Sequence, residues 1–310
     1  MKAVVVSDRA DGVAGMRLEE RPAPHAAEND VVVRVHAAGF TPGELDWPAT
    51  WTDRSGRDRT PSIPGHEVAG VVTALGYGTT GLSIGQRVYG LADWARDGSL
   101  AEYVAVEARN LAPLPADVGY VTAASLAISG LTAWQGLFEH GGLEPGQTIF
   151  ITGVAGGVGS VAAQLAREAG AVVIGAGRAG QRDRALEAGA HYFVDSDVDW
   201  AQTVGDVDVV FDVIGGEIGA RSASLVREGG TFVTIAGPAQ PPRTGVTAVF
   251  FVVEPRRSEL VELAGRLRDG RLRTFVGDVV PLDQAPHAFG SPSVSSGKTI
   301  VQVVPDPAMP

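Results

Sequence analysis

The sequence predicts an α/β protein of two parts, a small, largely β domain and a doubly wound parallel sheet covered by helices. Three observations predict it. Before Pro115, short β-type runs are broken by Gly and Pro turns with no helical periodicity of useful length. From Thr148 onward, strand-like runs alternate with helical ones. At the head of that alternation an apolar run, Ile149-Phe150-Ile151, meets Gly153, Gly156, Gly157 and Gly159. Val161, Leu165 and Ala169 then recur at helical spacing, and residues 171–174 form a second apolar run.

Composition narrows the function. A chain of 310 residues is long enough for two cores, and 25 Lys plus Arg against 36 Asp plus Glu leave a net charge of −11 with no basic run. Nucleic acid and anionic membranes are therefore not expected as partners. The absence of cysteine excludes disulfides, thiolate metal sites and a cysteine nucleophile. No signal peptide is evident in MKAVVVSDRADG, and no apolar run is read as membrane-spanning, so a cytoplasmic protein is expected. No Ser-His-Asp spacing, P-loop or EF-hand sequence supports a hydrolase or triphosphatase.

In order along the chain, strands are expected at 3–6, 31–37, 68–72, 87–90 and 101–106, with a helical stretch only near 43–47. After Pro115, 121–126 and 131–138 read as two helices. Beyond the glycine turn, helices are expected at 182–188, 220–227 and 258–268, and strands at 191–194, 207–213, 230–236 and 246–253. Strand-like runs at 278–282 and 299–304 are expected to pair back onto the first domain, making the nucleotide domain an insertion. The expected domains are 1–117 with 270–310, and 118–269.

The glycine turn carries the first chemistry. A strand, tight turn and helix leave unpaired N–H groups and the positive end of a helix dipole facing outward, which suits a pyrophosphate. Here the spacing is Gly153-x-x-Gly156-x-x-Gly159. Ligands of such sheets sit beyond the carboxyl ends of the strands, where Gly153, Ala155, Gly156, Gly157, Val158, Gly159 and Gly237 would fall. At the end of the second strand, Gly175-Ala176-Gly177-Arg178 has no acid to accept bonds from ribose hydroxyls. Arg178 instead offers a planar fork of donors to a 2′-phosphate, with Arg182 second, so NADPH is expected over NADH. The alternative is that both arginines are solvated residues at a helix start.

Several segments in fixed order resemble the medium-chain dehydrogenase/reductase superfamily, and within it the zinc-free quinone oxidoreductases related to zeta-crystallin. They are Pro64-Gly65-His66-Glu67-Val68-Ala69-Gly70-Val71-Val72, Leu131-Thr132-Ala133-Trp134, Ala155-Gly156-Gly157-Val158-Gly159, Glu187-Ala188-Gly189-Ala190, Phe211-Asp212-Val213-Ile214-Gly215-Gly216, Pro281-Leu282-Asp283-Gln284-Ala285 and Gly297-Lys298. The resemblance implies a GroES-like β-barrel substrate domain, a Rossmann nucleotide domain, a nicotinamide cofactor and a homodimer joined through the nucleotide domains. It also implies hydride transfer to a quinone or an α,β-unsaturated carbonyl compound. In the zinc alcohol dehydrogenases, which this chain also resembles at Gly65-His66-Glu67, the His is a metal ligand and Cys stands at the positions of Thr41 and Ile128. No metal is therefore expected, the alternative being a site rebuilt from His66, Glu67 and Glu44.

The resemblance also suggests residues at the substrate. Asn and Asp usually stand where this chain has Thr41 and Glu44, so the polar contacts there must differ. Thr41, Glu44 and His66 are candidate catalytic residues, and Thr132 a candidate contact to the nicotinamide or its ribose. Trp47 and Trp51 flank a polar stretch, 52–60, expected to be a mobile loop; they would stack a flat quinone or pack the loop down. Phe250 and Phe251 end a strand expected to reach the nicotinamide or the dimer edge, Phe250 being the candidate cofactor contact and core packing the alternative for both; Lys298 is a candidate for a cofactor phosphate or an exposed turn lysine. Two other functions remain open: a tailoring oxidoreductase of a specialised-metabolite pathway, and an NADPH-binding protein without turnover.

Overall fold

The computed structural model describes residues 1–41, 43–290 and 297–304. They form two compact units, one of Met1–Ile128, Pro255–Arg271 and the chain from Phe275, the other of Ser129–Glu254 with Leu272–Thr274. These seams differ from those expected at 117/118 and 269/270. The helix Arg257–Arg268 belongs with the first unit because Arg257 donates to the carbonyls of Leu111 (2.7 Å) and Ala108, and the Tyr89 hydroxyl donates to that of Leu260.

In the first unit, β1 (Lys2–Val5) and β2 (Arg17–Glu20) form a hairpin-like pair. The main sheet holds β3 (Asp30–Gly39), β4 (Glu67–Leu75), β5 (Arg87–Leu91), β6 (Tyr103–Glu107) and β7 (Leu111–Pro113). β3 is the hub. Nine of its ten residues are buried, it pairs antiparallel with β4 along one edge, and β6 shares its other edge with a strand from the tail. Apolar side chains of these strands, among them Val4, Val33, Val68 and Val88, form one core with Leu100 from the segment before β6.

The second unit has six parallel strands: β8 (Thr148–Thr152), β9 (Val172–Gly177), β10 (Tyr192–Asp195), β11 (Val207–Asp212), β12 (Val226–Thr234) and β13 (Thr247–Phe250). Their order is β10-β9-β8-β11-β12-β13, so the chain reverses direction across the sheet between β8 and β11. That reversal opens a crevice at the carboxyl ends of the two strands. Phe150, Trp200, Val210 and Phe232 are part of the core on one side.

The tail returns as expected. β14 (Val276–Pro281) runs parallel to β15 (Lys298–Gln302), and β15 pairs antiparallel with residues 37–39 of β3.

Three expectations are corrected. The two helices at 121–126 and 131–138 are one, Tyr120–Trp134 continuing as a π-helical turn over Gln135–His140. Gly130 does not break it, because residues 123–133 are buried and packing outweighs glycine's weak helix propensity. This helix is long and apolar enough to cross a membrane, against the expectation that no run is, but 78% of its apolar window is buried within the protein. The helix expected at 220–227 is Gly216–Ala223, and β12 begins four residues earlier than the expected strand at 230.

Candidate active site

The glycine turn is built as its spacing predicts. Gly153 has φ +60° and accepts a 2.9 Å bond from the Gly156 N–H, closing a tight turn from β8 into the helix Gly157–Glu168. Gly159 is glycine because a Cβ there would lie 2.3 Å from the Gly153 carbonyl oxygen. Gly156 caps the helix with no side-chain bond, and Gly156 and Gly157 are exposed, so the first N–H groups face outward without a partner from a cap. Val154 is tied by its N–H to Ala176 at the end of β9 (3.1 Å), and Val158 is half-buried beside Gly159. Uncapped donors and a cradle without side chains fit a dinucleotide pyrophosphate.

At the end of β9, Gly177 is buried and Arg178 is exposed. The Arg178 N–H donates to Oε1 of Gln181 (3.1 Å). Arg182 opens the next helix, is exposed, and stands 6.0 Å from the Phe193 ring centre. Gly237 lines a cavity of about 350 Å³ at the ends of β11 and β12. Phe250 ends β13 and is 42% exposed, whereas Phe251 is buried against the His140 ring (4.4 Å). Thr132 is buried in the long helix.

Two residues in this unit escaped sequence reasoning. Ser129 places its Oγ 3.2 Å from where a Cβ on Gly157 would sit, at the head of the phosphate turn. Asp212, at the end of β11, accepts from Thr152 Oγ1 (2.7 Å), Thr234 Oγ1 (2.9 Å) and the Ile214 and Gly215 N–H groups, so one buried carboxylate joins β8, β11 and β12 at the crevice. The Phe211-Asp212-Val213 segment was visible in the sequence, but not which threonines it would meet.

The first unit brings Thr41, Glu44 and His66 together. Glu44 is fully buried in a short 3₁₀ turn and accepts from the Gly65 N–H (2.6 Å) and the Thr41 N–H (3.2 Å). His66 Nε2 lies 3.2 Å from Glu44 Oε1. Burial, reinforced by the charge of Glu67, pushes the Glu44 carboxyl up to about 8 against the pull of its two N–H donors, with Lys298 opposing more weakly. Burial pushes the His66 imidazole down to about 3, with Arg59 adding to the shift and Asp93 opposing it. Both shifts favour the uncharged forms, which one hydrogen bond can join. Two buried atoms here have no hydrogen-bond partner among the described residues: His66 Nδ1 and Thr41 Oγ1. Buried polar atoms are rarely left so, and these two mark where a polar ligand atom would be satisfied.

Beside this pair, Glu67 accepts from the Ile128 N–H (2.9 Å) and forms an ion pair with Lys298. Lys298 was expected at a cofactor phosphate; its ammonium is instead engaged by the buried Glu67, because β15 delivers it to the edge of β3 next to the start of β4. Trp51 is buried and donates from its indole to the Leu45 carbonyl (2.8 Å), so it packs rather than stacks. The aromatic neighbour of His66 is Trp94, whose ring meets His66 at 4.9 Å and Trp47 at 5.1 Å, both edge-on. Residues 52–60 form a turn held by Asp53, which accepts from Ser55 and Arg57, and Arg54 pairs with Asp93. Among the described residues no group of three or more His, Cys, Asp or Glu is placed to hold a metal ion. With Glu44 hydrogen-bonded to His66 and Glu67 ion-paired with Lys298, the donor set does not fit a zinc.

Comparison with known proteins agrees with this architecture. Residues 27–116 match the model of the alcohol dehydrogenase GroES-like domain, and 188–301 that of the zinc-binding dehydrogenase. The chain is 32% identical over 305 residues to the 2-methylene-furan-3-one reductase of Solanum lycopersicum, covering 94% of this chain and 76% of that protein. It is 30% identical over 324 residues to the chloroplastic NADPH-dependent alkenal/one oxidoreductase of Arabidopsis thaliana, covering 98% and 80%. Its fold matches the quinone oxidoreductase structure from Coxiella burnetii with a TM-score of 0.89 at 24% identity, over 98% and 99% of the two chains. At that identity and coverage, with both family models matched in the order the two units require, the chain belongs to the medium-chain dehydrogenase/reductase superfamily.

Proposed function

We propose that this protein is a zinc-independent, NADPH-dependent reductase that transfers a hydride to the electron-poor carbon of an α,β-unsaturated carbonyl compound or a quinone. The observation that carries the reading is the uncapped glycine turn joined to a strand end that offers Arg178 in place of an acid. NADPH, when bound, supplies the hydride. The backbone of 155–159 would hold its pyrophosphate, with Gly177, Arg178 and Arg182 at the 2′-phosphate and Thr132, Gly237 and Phe250 toward the nicotinamide. Thr41 and His66 would meet the acceptor oxygen on which negative charge grows. The two curated relatives described above, a furanone reductase and an NADPH-dependent alkenal/one oxidoreductase, support the acceptor class.

Steady-state kinetics with NADPH and NADH on a panel of quinones, alkenals and enones test the reading. A strong preference for NADPH with reduction of at least one acceptor is expected, and failure with every acceptor would sink it. Activity undiminished by chelators, in protein free of zinc by elemental analysis, is expected from the donor set. β13 pairs only with β12 among the described residues, which supports a homodimer through that edge, to be checked by light scattering.

A further inference from the structure

Reduction of an enone or quinone requires a proton as well as a hydride. The hydride's electron pair forms the new C–H bond, the C=C π pair shifts toward the carbonyl, and an oxyanion results. Two fully buried groups of the first unit are joined by one hydrogen bond, Glu44 Oε1 to His66 Nε2 at 3.2 Å. The far nitrogen of that imidazole, Nδ1, is buried and has no partner among the described residues.

Resting on the function proposed above, we propose that Glu44 and His66 form a proton relay to the acceptor oxygen. As the O–H bond of the product forms, the Nδ1–H bond of His66 breaks. The Glu44 carboxyl proton moves to Nε2, and the imidazole ends neutral in its other tautomer. The product leaves as an enol, which for a quinone acceptor tautomerises in water to the hydroquinone, and the relay is left as a Glu44 carboxylate. That carboxylate is tolerated in a buried place because the N–H groups of Gly65 and Thr41 already point at its two oxygens (2.6 and 3.2 Å). Water restores the proton after product release. Thr41 Oγ1 has no partner either, and serves as a second donor to the same oxygen.

The arrangement explains why the carboxyl is buried at all. A solvated glutamate would be ionised at neutral pH and have nothing to give, whereas zero exposure keeps Glu44 protonated. The charges facing it are Glu67, which favours the protonated form, and Lys298, which opposes it. Those facing His66 are Arg59 and Asp93, of opposite effect.

The first test needs no cofactor. Nitrogen-15 NMR of His66 in the free protein is expected to show a neutral ring protonated at Nδ1, switching to Nε2 as Glu44 ionises near pH 8, and no switch in Glu44→Gln. A ring protonated at Nε2 throughout, or one indifferent to pH, overturns the relay. The second test is kinetic. With a cyclic enone, kcat of Glu44→Gln should fall ~100-fold with an unchanged NADPH dissociation constant, and the decline of wild-type kcat above pH 8 should vanish. A loss of rate that keeps the alkaline limb would assign Glu44 a structural role only and overturn the proposal. A proton inventory on the wild-type protein does not depend on any variant folding: a bowed plot is expected for two protons in flight, and a linear one counts against the relay. Wild-type protein that reduces no acceptor would refute the proposed function and the relay with it; an active wild type with an indifferent Glu44→Gln would refute the relay alone.

Discussion

The ammonium of Lys298 is ion-paired with the carboxylate of Glu67, a residue with no exposed surface, and the contact joins the strand that follows the nucleotide unit to the one that begins directly after His66. Gly39 lies against the same carboxylate: a Cβ there would fall 2.2 Å from Glu67 Oε2. Removing one member of a buried pair leaves a charge without compensation, which costs about 3–5 kcal/mol. Lys298→Met is therefore expected to lower unfolding free energy by that order in urea melts. Lys298→Met combined with Glu67→Gln should recover most of the loss, since Gln keeps an acceptor for the Ile128 N–H. Equal losses in the single and double variants would show that the pair is not the cause.

Glu44 and His66 make stability depend on pH in opposite directions. The Glu44 carboxyl rises from 4.5 in an unfolded chain to about 8 in the fold, so its contribution is complete below pH 4.5 and lost as pH rises through 8. The His66 imidazole falls from 6.5 to about 3, so its contribution is complete above pH 6.5 and lost as pH falls toward 3. Between pH 6.5 and 8 only the Glu44 effect changes. Tm is expected to fall across that window in the wild type and to stay level in Glu44→Gln, as followed by circular dichroism.

Arg178 should discriminate between the cofactors. A charge-assisted bond to a phosphate contributes about 1.5–3 kcal/mol. Arg178→Ala is thus expected to raise KM for NADPH ~10- to 100-fold with little change for NADH, measured by initial rates with one acceptor. A parallel change for both cofactors would remove Arg178 from the 2′-phosphate.

The phosphate turn allows a paired comparison of two alanine substitutions. At Gly159 a Cβ meets the Gly153 carbonyl oxygen at 2.3 Å and backbone carbons at 2.8 Å, whereas at Gly180 nothing lies within 4 Å. Gly159→Ala should cost about 1–3 kcal/mol in urea denaturation and weaken NADPH binding in fluorescence titration. Gly180→Ala should leave stability within about 0.5 kcal/mol of wild type.

Much of the fold was legible because it is local. The run 148–174 carries strand, turn and helix in adjacent residues, and Gly156 and Gly159 both answer to Gly153, within six positions of it. The helix over 120–140 was misread as two because Gly130 is a local signal against helix, and only packing around it overrides that signal. The domain seams moved for a similar reason, since Arg257 and Leu260 find their partners about 150 and 170 residues back, at Leu111 and Tyr89.

By itself, the sequence determined the two-part α/β architecture, the tight glycine turn, the missing acid before Arg178 and the absence of thiolate ligands, all of which depend on residue type and short spacing. Tertiary structure alone decided that Lys298 answers Glu67, that Trp94 rather than Trp51 lies against His66, and that Glu44 is shut from water with one hydrogen bond to that imidazole. The reason is physical. A side chain's chemistry is carried along the chain, but its partner and its dielectric surroundings are set by strand register and burial, which bring together residues as distant as 67 and 298.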